Sequence, residues 1–137
     1  MRIALICGSR SLESRGTDIF THLEKYDDEF PIDLVIHGGA AGPDTISGIW
    51  ADSLDKPVKV FRAKWQEHGR KAGIFRNIEM LDYLKLQTDP NDSPCVIAFW
   101  DGKSKGTKHT IDTARKRGIP TRVYRTDMLA TQGDLAL

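Results

Sequence analysis

The sequence predicts an α/β fold, a single three-layer domain in which helices cover both faces of a mainly parallel five-stranded sheet. Short apolar runs alternate with longer amphipathic stretches, the signature of strand–helix–strand units. The runs Leu34-Val35-Ile36 and Val96-Ile97-Ala98-Phe99 are apolar on both faces, as strands buried on both sides require. Glycine clusters follow the first, second and fourth of these runs, where a parallel sheet has its carboxyl edge.

In chain order, strands are expected at residues 3–7, 34–37, 58–61, 95–99 and 121–124. Four helices lie between them. Ile19, Phe20, Leu23 and Tyr26 form the first apolar stripe, and Ile46, Ile49, Trp50 and Leu54 the second. Ile74, Ile78, Leu81 and Leu84 form the third, and the fourth is thinner, with Ile111 and Ala114 before a stop at Gly118. Gly118-Ile119-Pro120 ends a helix and opens a strand, and Asp55-Lys56-Pro57 does the same before Val58. Residues 88–94 read as a polar loop, and the tail 125–137 as a weakly patterned segment whose Met128, Leu129, Leu135 and Leu137 either dock or fray. These elements describe one Rossmann-like domain spanning 1–137, with a core over about 1–124.

A chain of 137 residues buries a core without disulfides or metals to staple it. With 20 basic and 19 acidic residues it has no electrostatic footprint for wrapping duplex DNA, so nucleic acid is not an expected partner. No apolar stretch approaches the ~20 residues of a membrane span, so no membrane partner is expected. Met1 to Cys7 lacks the apolar region and cleavage site of a signal peptide and runs straight into Gly8. Cys7 and Cys95 are too few for a disulfide framework or a metal cluster, and the expected location is cytoplasmic, with no metal and no cofactor.

Chemistry is expected in the glycine loops. Gly8-Ser9-Arg10, Gly38-Gly39-Ala40-Ala41-Gly42-Pro43-Asp44 and Asp101-Gly102-Lys103-Ser104-Lys105-Gly106-Thr107 each lead from a strand toward a helix. Without a Cβ, backbone amides approach an anion closely. The helix that follows adds unpaired N–H groups and a positive dipole end. Arg10 and Lys105 offer charge, and Ser9, Ser104 and Thr107 offer hydroxyl donors. The pattern is neither G-x-G-x-x-G nor G-x-x-x-x-G-K-[ST], so the loops are not those of a dinucleotide dehydrogenase or a P-loop ATPase.

The stretch 63–80 carries Trp65, His68, Arg70, Lys71, Arg76 and Asn77 from the third strand into the third helix. With a helix start near Lys71, Arg76 stands close to the loop edge, where a bound phosphate would serve as its anionic partner. Trp65 is read as packing or as a base-stacking platform, with packing favoured. Asp44 is read as a helix cap or a site residue, evenly. His37 is read as a partly buried strand-end side chain, His68 as a solvated loop histidine, and Trp50 and Cys7 as core.

Read together, these positions resemble a known family. Gly8-Ser9-Arg10, His37-Gly38-Gly39-Ala40-x-Gly42-x-Asp44, Trp50-Ala51, Pro57-Val58, Ala63-x-Trp65, Gly69, Ala72-Gly73, Arg76-Asn77 and Met80 run down the chain in order. Ala98-Phe99, Gly102, Gly106-Thr107 and Gly118-Ile119-Pro120 complete the pattern. It resembles the YspA-like (cpYpsA-related) branch of the SLOG superfamily, which also holds the LOG cytokinin-activating enzymes and the DNA-processing protein DprA. The resemblance implies a Rossmann-like fold that binds nucleotides or nucleotide-derived ligands. In LOG enzymes a P-G-G-x-G-T-x-x-E motif and an upstream arginine release a base from a nucleoside monophosphate. Arg76 matches that arginine and Gly106-Thr107 the glycine–threonine pair, but Thr110 stands where the glutamate would be. Cleaving an N-glycosidic bond builds positive charge on the sugar, which threonine cannot balance.

The expected ligand contacts are therefore Gly8, Ser9, Arg10, Gly38, Gly39, Ala40, Gly42, Asp44, Trp65, Arg76, Asn77, Gly102, Ser104, Lys105, Gly106 and Thr107, with Arg76 and Asp44 as catalytic candidates. The leading reading is a sensor or sequestering module for a nucleotide-like small molecule. The alternatives are a LOG-like phosphoribohydrolase and, below it, a DprA-like binder of single-stranded DNA. By analogy with LOG relatives a homodimer is expected, with the third helix taking part.

Overall fold

The computed structural model describes residues 1–86 and 89–126. Strands β1 (Arg2–Gly8), β2 (Leu34–His37), β3 (Val58–Val60), β4 (Ser93–Trp100) and β5 (Thr121–Arg125) form one sheet in the order β3-β2-β1-β4-β5. Every pairing is parallel. The expected tail residues Met128, Leu129, Leu135 and Leu137 lie outside the described residues.

Helices α1 (Gly16–Glu29) and α2 (Pro43–Ser53) cover one face, with Ile19, Leu23, Trp50 and Ala51 packed on Ala4, Ile6, Val35 and Ile97. Two further helices cover the other: α4 (Ala72–Leu86) and α5 (Lys105–Lys116) set Met80, Leu81, Leu84 and Ile111 on Ile3, Leu5, Ile36 and Val96. Successive side chains of a strand point to opposite faces, so β1 and β4 feed both layers. Ile3 to Ile6 are fully buried, which is the physical reason these runs show no polar alternation.

Local bounds differ from expectation in instructive places. β4 begins at Ser93 and takes in Pro94, which reads as loop in the sequence. Pro94 lies opposite Ile3, while β5 joins the other side of β4 only from Val96. A residue without an amide donor is tolerated where a strand has one neighbour. The stretch before α4 is not featureless: it holds a one-turn helix α3 (Trp65–His68) and a 3₁₀ turn at Gly69–Lys71.

The second apolar stripe is corrected. Ile49 is 58% exposed and Leu54 50% exposed, and the inward face of α2 is Pro43, Asp44, Ser47, Trp50 and Ala51. Leu54 falls past the last helical turn, and two slots of the inward face near the helix start are polar because that end abuts the carboxyl edge of the sheet. Ile74 of the third stripe is likewise 43% exposed, and in that first turn of α4 Ala72 is the buried residue.

The order of strands reverses between β1 and β4, which places a crevice outside their carboxyl ends. The two loops are joined there. The Ser9 amide donates to the Phe99 carbonyl (3.0 Å), and the Asp101 amide donates to Ser9 Oγ (3.1 Å). Gly8 makes the junction possible: a Cβ there would lie 2.4 Å from Pro43 Cγ and 2.5 Å from the Phe99 carbonyl oxygen.

Candidate functional site

A cleft of about 640 Å³ opens at this carboxyl edge. It brings together residues from all three glycine loops and from the α3–α4 segment. Gly8 and Arg10 come from the first loop, Gly38, Gly39, Ala40 and Asp44 from the second, and Ser104, Gly106 and Thr107 from the third. Trp65, Arg76 and Asn77 line it as well.

Four expected residues do not line it. Ser9 is 1% exposed, and its hydroxyl is taken by the Asp101 amide as a strut between loops. Gly42, at φ +87°, precedes α2 and packs against the Ser9 carbonyl oxygen. Gly102, at φ +80°, turns the chain between Asp101 and α5. Lys105 opens α5 as an exposed residue.

Other lining residues are not among the expected ligand contacts. Arg62 extends from the end of β3, and Arg70 from the 3₁₀ turn. Thr110 is fully buried, with its hydroxyl donating to the Gly106 carbonyl (3.1 Å). Cys7 is buried as expected and also forms part of the cleft wall. The clue to Arg62 was its place directly after Phe61, at a strand end on the ligand-binding edge.

Among the described residues Asp44 is the only carboxylate lining the cleft, and it is 4% exposed. It does not cap its own helix, where Gly42 holds the N-cap position. Instead Asp44 Oδ2 accepts from the Gly38 amide (2.9 Å) and the Ala40 amide (3.4 Å), folding the second loop around the carboxylate. Burial pushes its pKa up to about 6, against the pull of Arg76 and the amides of Gly38, Ala40 and Asp44 itself. His37 supports the same loop: its Nδ1 accepts from the Gly39 amide (3.0 Å), and burial lowers its pKa, which favours the neutral ring.

Arg76 reaches across from α4. Its Nη1 donates to the Gly38 carbonyl and its Nε to Asn77 Oδ1 (2.8 Å). A Cβ on Gly38 would stand 2.5 Å from Arg76 Nη1, so glycine is what lets the guanidinium lie against the loop. Arg76 and Asp44 influence each other through charge without a direct ion pair. Burial raises the Cys7 thiol pKa, Asp44 adds to the effect and Arg76 opposes it, so Cys7 stays protonated and is a poor nucleophile.

The third loop is organised by Asp101. Its Oδ1 accepts from the amides of Lys103 and Ser104 (both 2.8 Å), and its Oδ2 from Ser11 Oγ (2.7 Å). Desolvation raises the Asp101 pKa, but the hydrogen bonds from Ser11, Ser104 and Lys103 outweigh it and hold it at about 2. Ser104 then caps α5, its Oγ accepting from the Thr107 amide (3.4 Å).

Among the described residues the cleft thus carries four arginines, Arg10, Arg62, Arg70 and Arg76, against one carboxylate. Trp65, 55% exposed, and Ile74 give it an apolar outer wall. Among the described residues no three His, Cys, Asp or Glu side chains are grouped to hold a metal ion. No helix among them is long and apolar enough to cross a membrane.

Comparison with known proteins agrees with this architecture. The family described as YspA, cpYpsA-related SLOG matches residues 1–68. The chain is also similar to the Gene 61 protein of Mycobacterium phage D29, at 38% identity over 126 residues, which covers 88% of this chain and 94% of that protein. No solved structure matches the chain.

Proposed function

The chain belongs to the YspA, cpYpsA-related SLOG family, and from that premise we propose that it binds a phosphate-bearing, nucleotide-derived ligand in the cleft, as a sensor or sequestering module. The observation that carries this is the charge balance of the cleft among the described residues: Arg10, Arg62, Arg70 and Arg76 line it with the buried carboxylate of Asp44. Arginine forks hold phosphate oxygens in bidentate pairs, and such charge-assisted bonds are about twice as strong as neutral ones. The exposed face of Trp65 beside them suits the packing of a base.

Calorimetric titration with nucleoside mono- and diphosphates and ADP-ribose derivatives tests the proposal. At least one compound is expected to bind, with affinity falling as salt rises. Arg62→Ala and Arg70→Ala are each expected to weaken that compound about 10-fold, the effect of one charge-assisted hydrogen bond. If no compound in the panel binds, the reading is wrong.

One observation favours a second reading, a LOG-like hydrolase of nucleoside monophosphates. Thr110 replaces the motif glutamate, but Asp44 supplies a carboxylate in the same cleft, with a pKa of about 6. That places it near the range of a proton-transferring group at neutral pH. On this reading, incubation with nucleoside monophosphates releases free base, seen by chromatography, and Arg76→Ala abolishes the release. Turnover no greater than background rejects it.

A further inference from the structure

We propose that Asp44 is the sugar-recognition residue of the cleft, its carboxylate accepting hydrogen bonds from the hydroxyl groups of the ligand's ribose-like part. This rests on the nucleotide-binding reading above and assigns one subsite within it.

The inference begins with the amides of the second loop. Glycine-rich amides after a strand are ordinarily available to an anionic ligand. Here the amides of Gly38 and Ala40 already bond to Asp44 Oδ2, at 2.9 and 3.4 Å. The protein's own carboxylate stands where a phosphate would be cradled. A phosphate set against it would bring two negative charges together in a poorly hydrated place, which is strongly unfavourable.

A neutral donor meets the opposite situation. An ionised carboxylate is an acceptor only, with about four acceptor sites. The amides of Gly38 and Ala40 bond to Oδ2 and Asp44's own amide adds to them, and with about four acceptor sites the carboxylate keeps capacity for a further donor. Asp44 is 4% exposed and lines the cleft, so a ligand seated there displaces its remaining contact with water. Arg76 eases the Asp44 charge through space but forms no direct ion pair with it, because that guanidinium is engaged by the Gly38 carbonyl and Asn77 Oδ1. Hydroxyl groups are the donors a nucleotide presents beside its phosphate, and Arg10, Arg62 and Arg70 remain for the phosphate. A site built to bond a hydroxyl rejects the analogue without it far more strongly than an apolar pocket rejects a missing methylene.

The test is calorimetry on the full chain at pH 7.5, comparing ribonucleoside 5′-monophosphates with their 2′,3′-dideoxy counterparts. The wild-type protein is expected to bind the dideoxy compounds about 100-fold more weakly, the effect of one or two hydrogen bonds to a charged acceptor. Asp44→Asn keeps an acceptor for the loop amides and removes the charge. It is expected to bind dideoxy compounds at least as well as wild type while losing most of the ribose preference. Equal binding of ribo and dideoxy compounds by the wild type overturns the sugar assignment and leaves the nucleotide-binding reading standing. So does a ribose preference that survives in Asp44→Asn. Absence of binding by any of the compounds overturns both.

Discussion

Asp44→Asn is expected to raise the stability of the ligand-free protein at pH 7.5 and to have little effect at pH 4. The carboxyl titrates near 3.8 when unperturbed and at about 6 in the folded chain. Because the folded value is the higher one, the folded state favours the protonated carboxyl. That stabilisation is complete below pH 3.8 and is lost as pH rises through about 6. A shift of this size corresponds to about 3 kcal/mol carried as a penalty at neutral pH. Asparagine keeps an oxygen for the amides of Gly38 and Ala40 and removes the penalty, but its NH₂ group needs water or a ligand in the cleft. The net expectation is a gain of about 2 kcal/mol at pH 7.5, or roughly 7 °C in melting temperature. Thermal denaturation of both proteins across pH 4 to 8 checks it. A variant less stable than wild type at pH 7.5, or a difference that does not close on acidification, would show that Asp44 carries no such cost. A buried charge kept at the expense of stability is what a binding residue looks like from the thermodynamic side.

The fold was readable because the sheet is parallel and covered on both faces. Ile3 to Ile6 and Val96 to Phe99 have to be continuously apolar, and that pattern survives in a single sequence. The convergence of the three loops followed from the same premise, since all carboxyl ends of a parallel sheet lie at one edge. Side-chain partners were less readable. Asp44 shares its residue type and position with ordinary helix caps, and only the path of the loop shows that it turns back to Gly38 and Ala40. Ser9 looked like a phosphate donor until its hydroxyl met the Asp101 amide, 92 residues away along the chain. Arg62 and Arg70 sit in segments without periodicity, so their shared cleft is a product of tertiary placement. Helical spacing alone does not say which side of a helix meets the sheet: Ile49 is exposed beside buried Trp50 and Ala51, and Ile74 beside buried Ala72.

Arg76→Ala is expected to have the largest combined effect on stability and binding. The guanidinium ties α4 to the second loop through the Gly38 carbonyl, holds Asn77, and supplies the positive charge that offsets Asp44. Removing it leaves Gly38, whose Cβ position lies 2.5 Å from Nη1, beside an empty space, and leaves Asp44 buried with less compensation. A loss of about 3 kcal/mol is expected at pH 7.5, from the hydrogen bonds to Gly38 and Asn77 and the weaker compensation of the Asp44 charge. The loss should shrink toward pH 4, where Asp44 is protonated and no longer needs a counter-charge. Asp44→Asn in the Arg76→Ala background should recover more stability than Asp44→Asn recovers alone, with a coupling of about 1 kcal/mol in a double-mutant cycle. Arg76→Lys separates charge from geometry, since lysine keeps the charge and loses the fork that reaches both Gly38 and Asn77. It should restore the pH dependence without restoring full stability. Additive single-variant effects, with no pH dependence in the loss, would mean that Arg76 serves only as a strut between α4 and the loop. Coupled effects would make the pair one electrostatic unit, in which the arginine makes an ionised Asp44 tolerable inside the cleft.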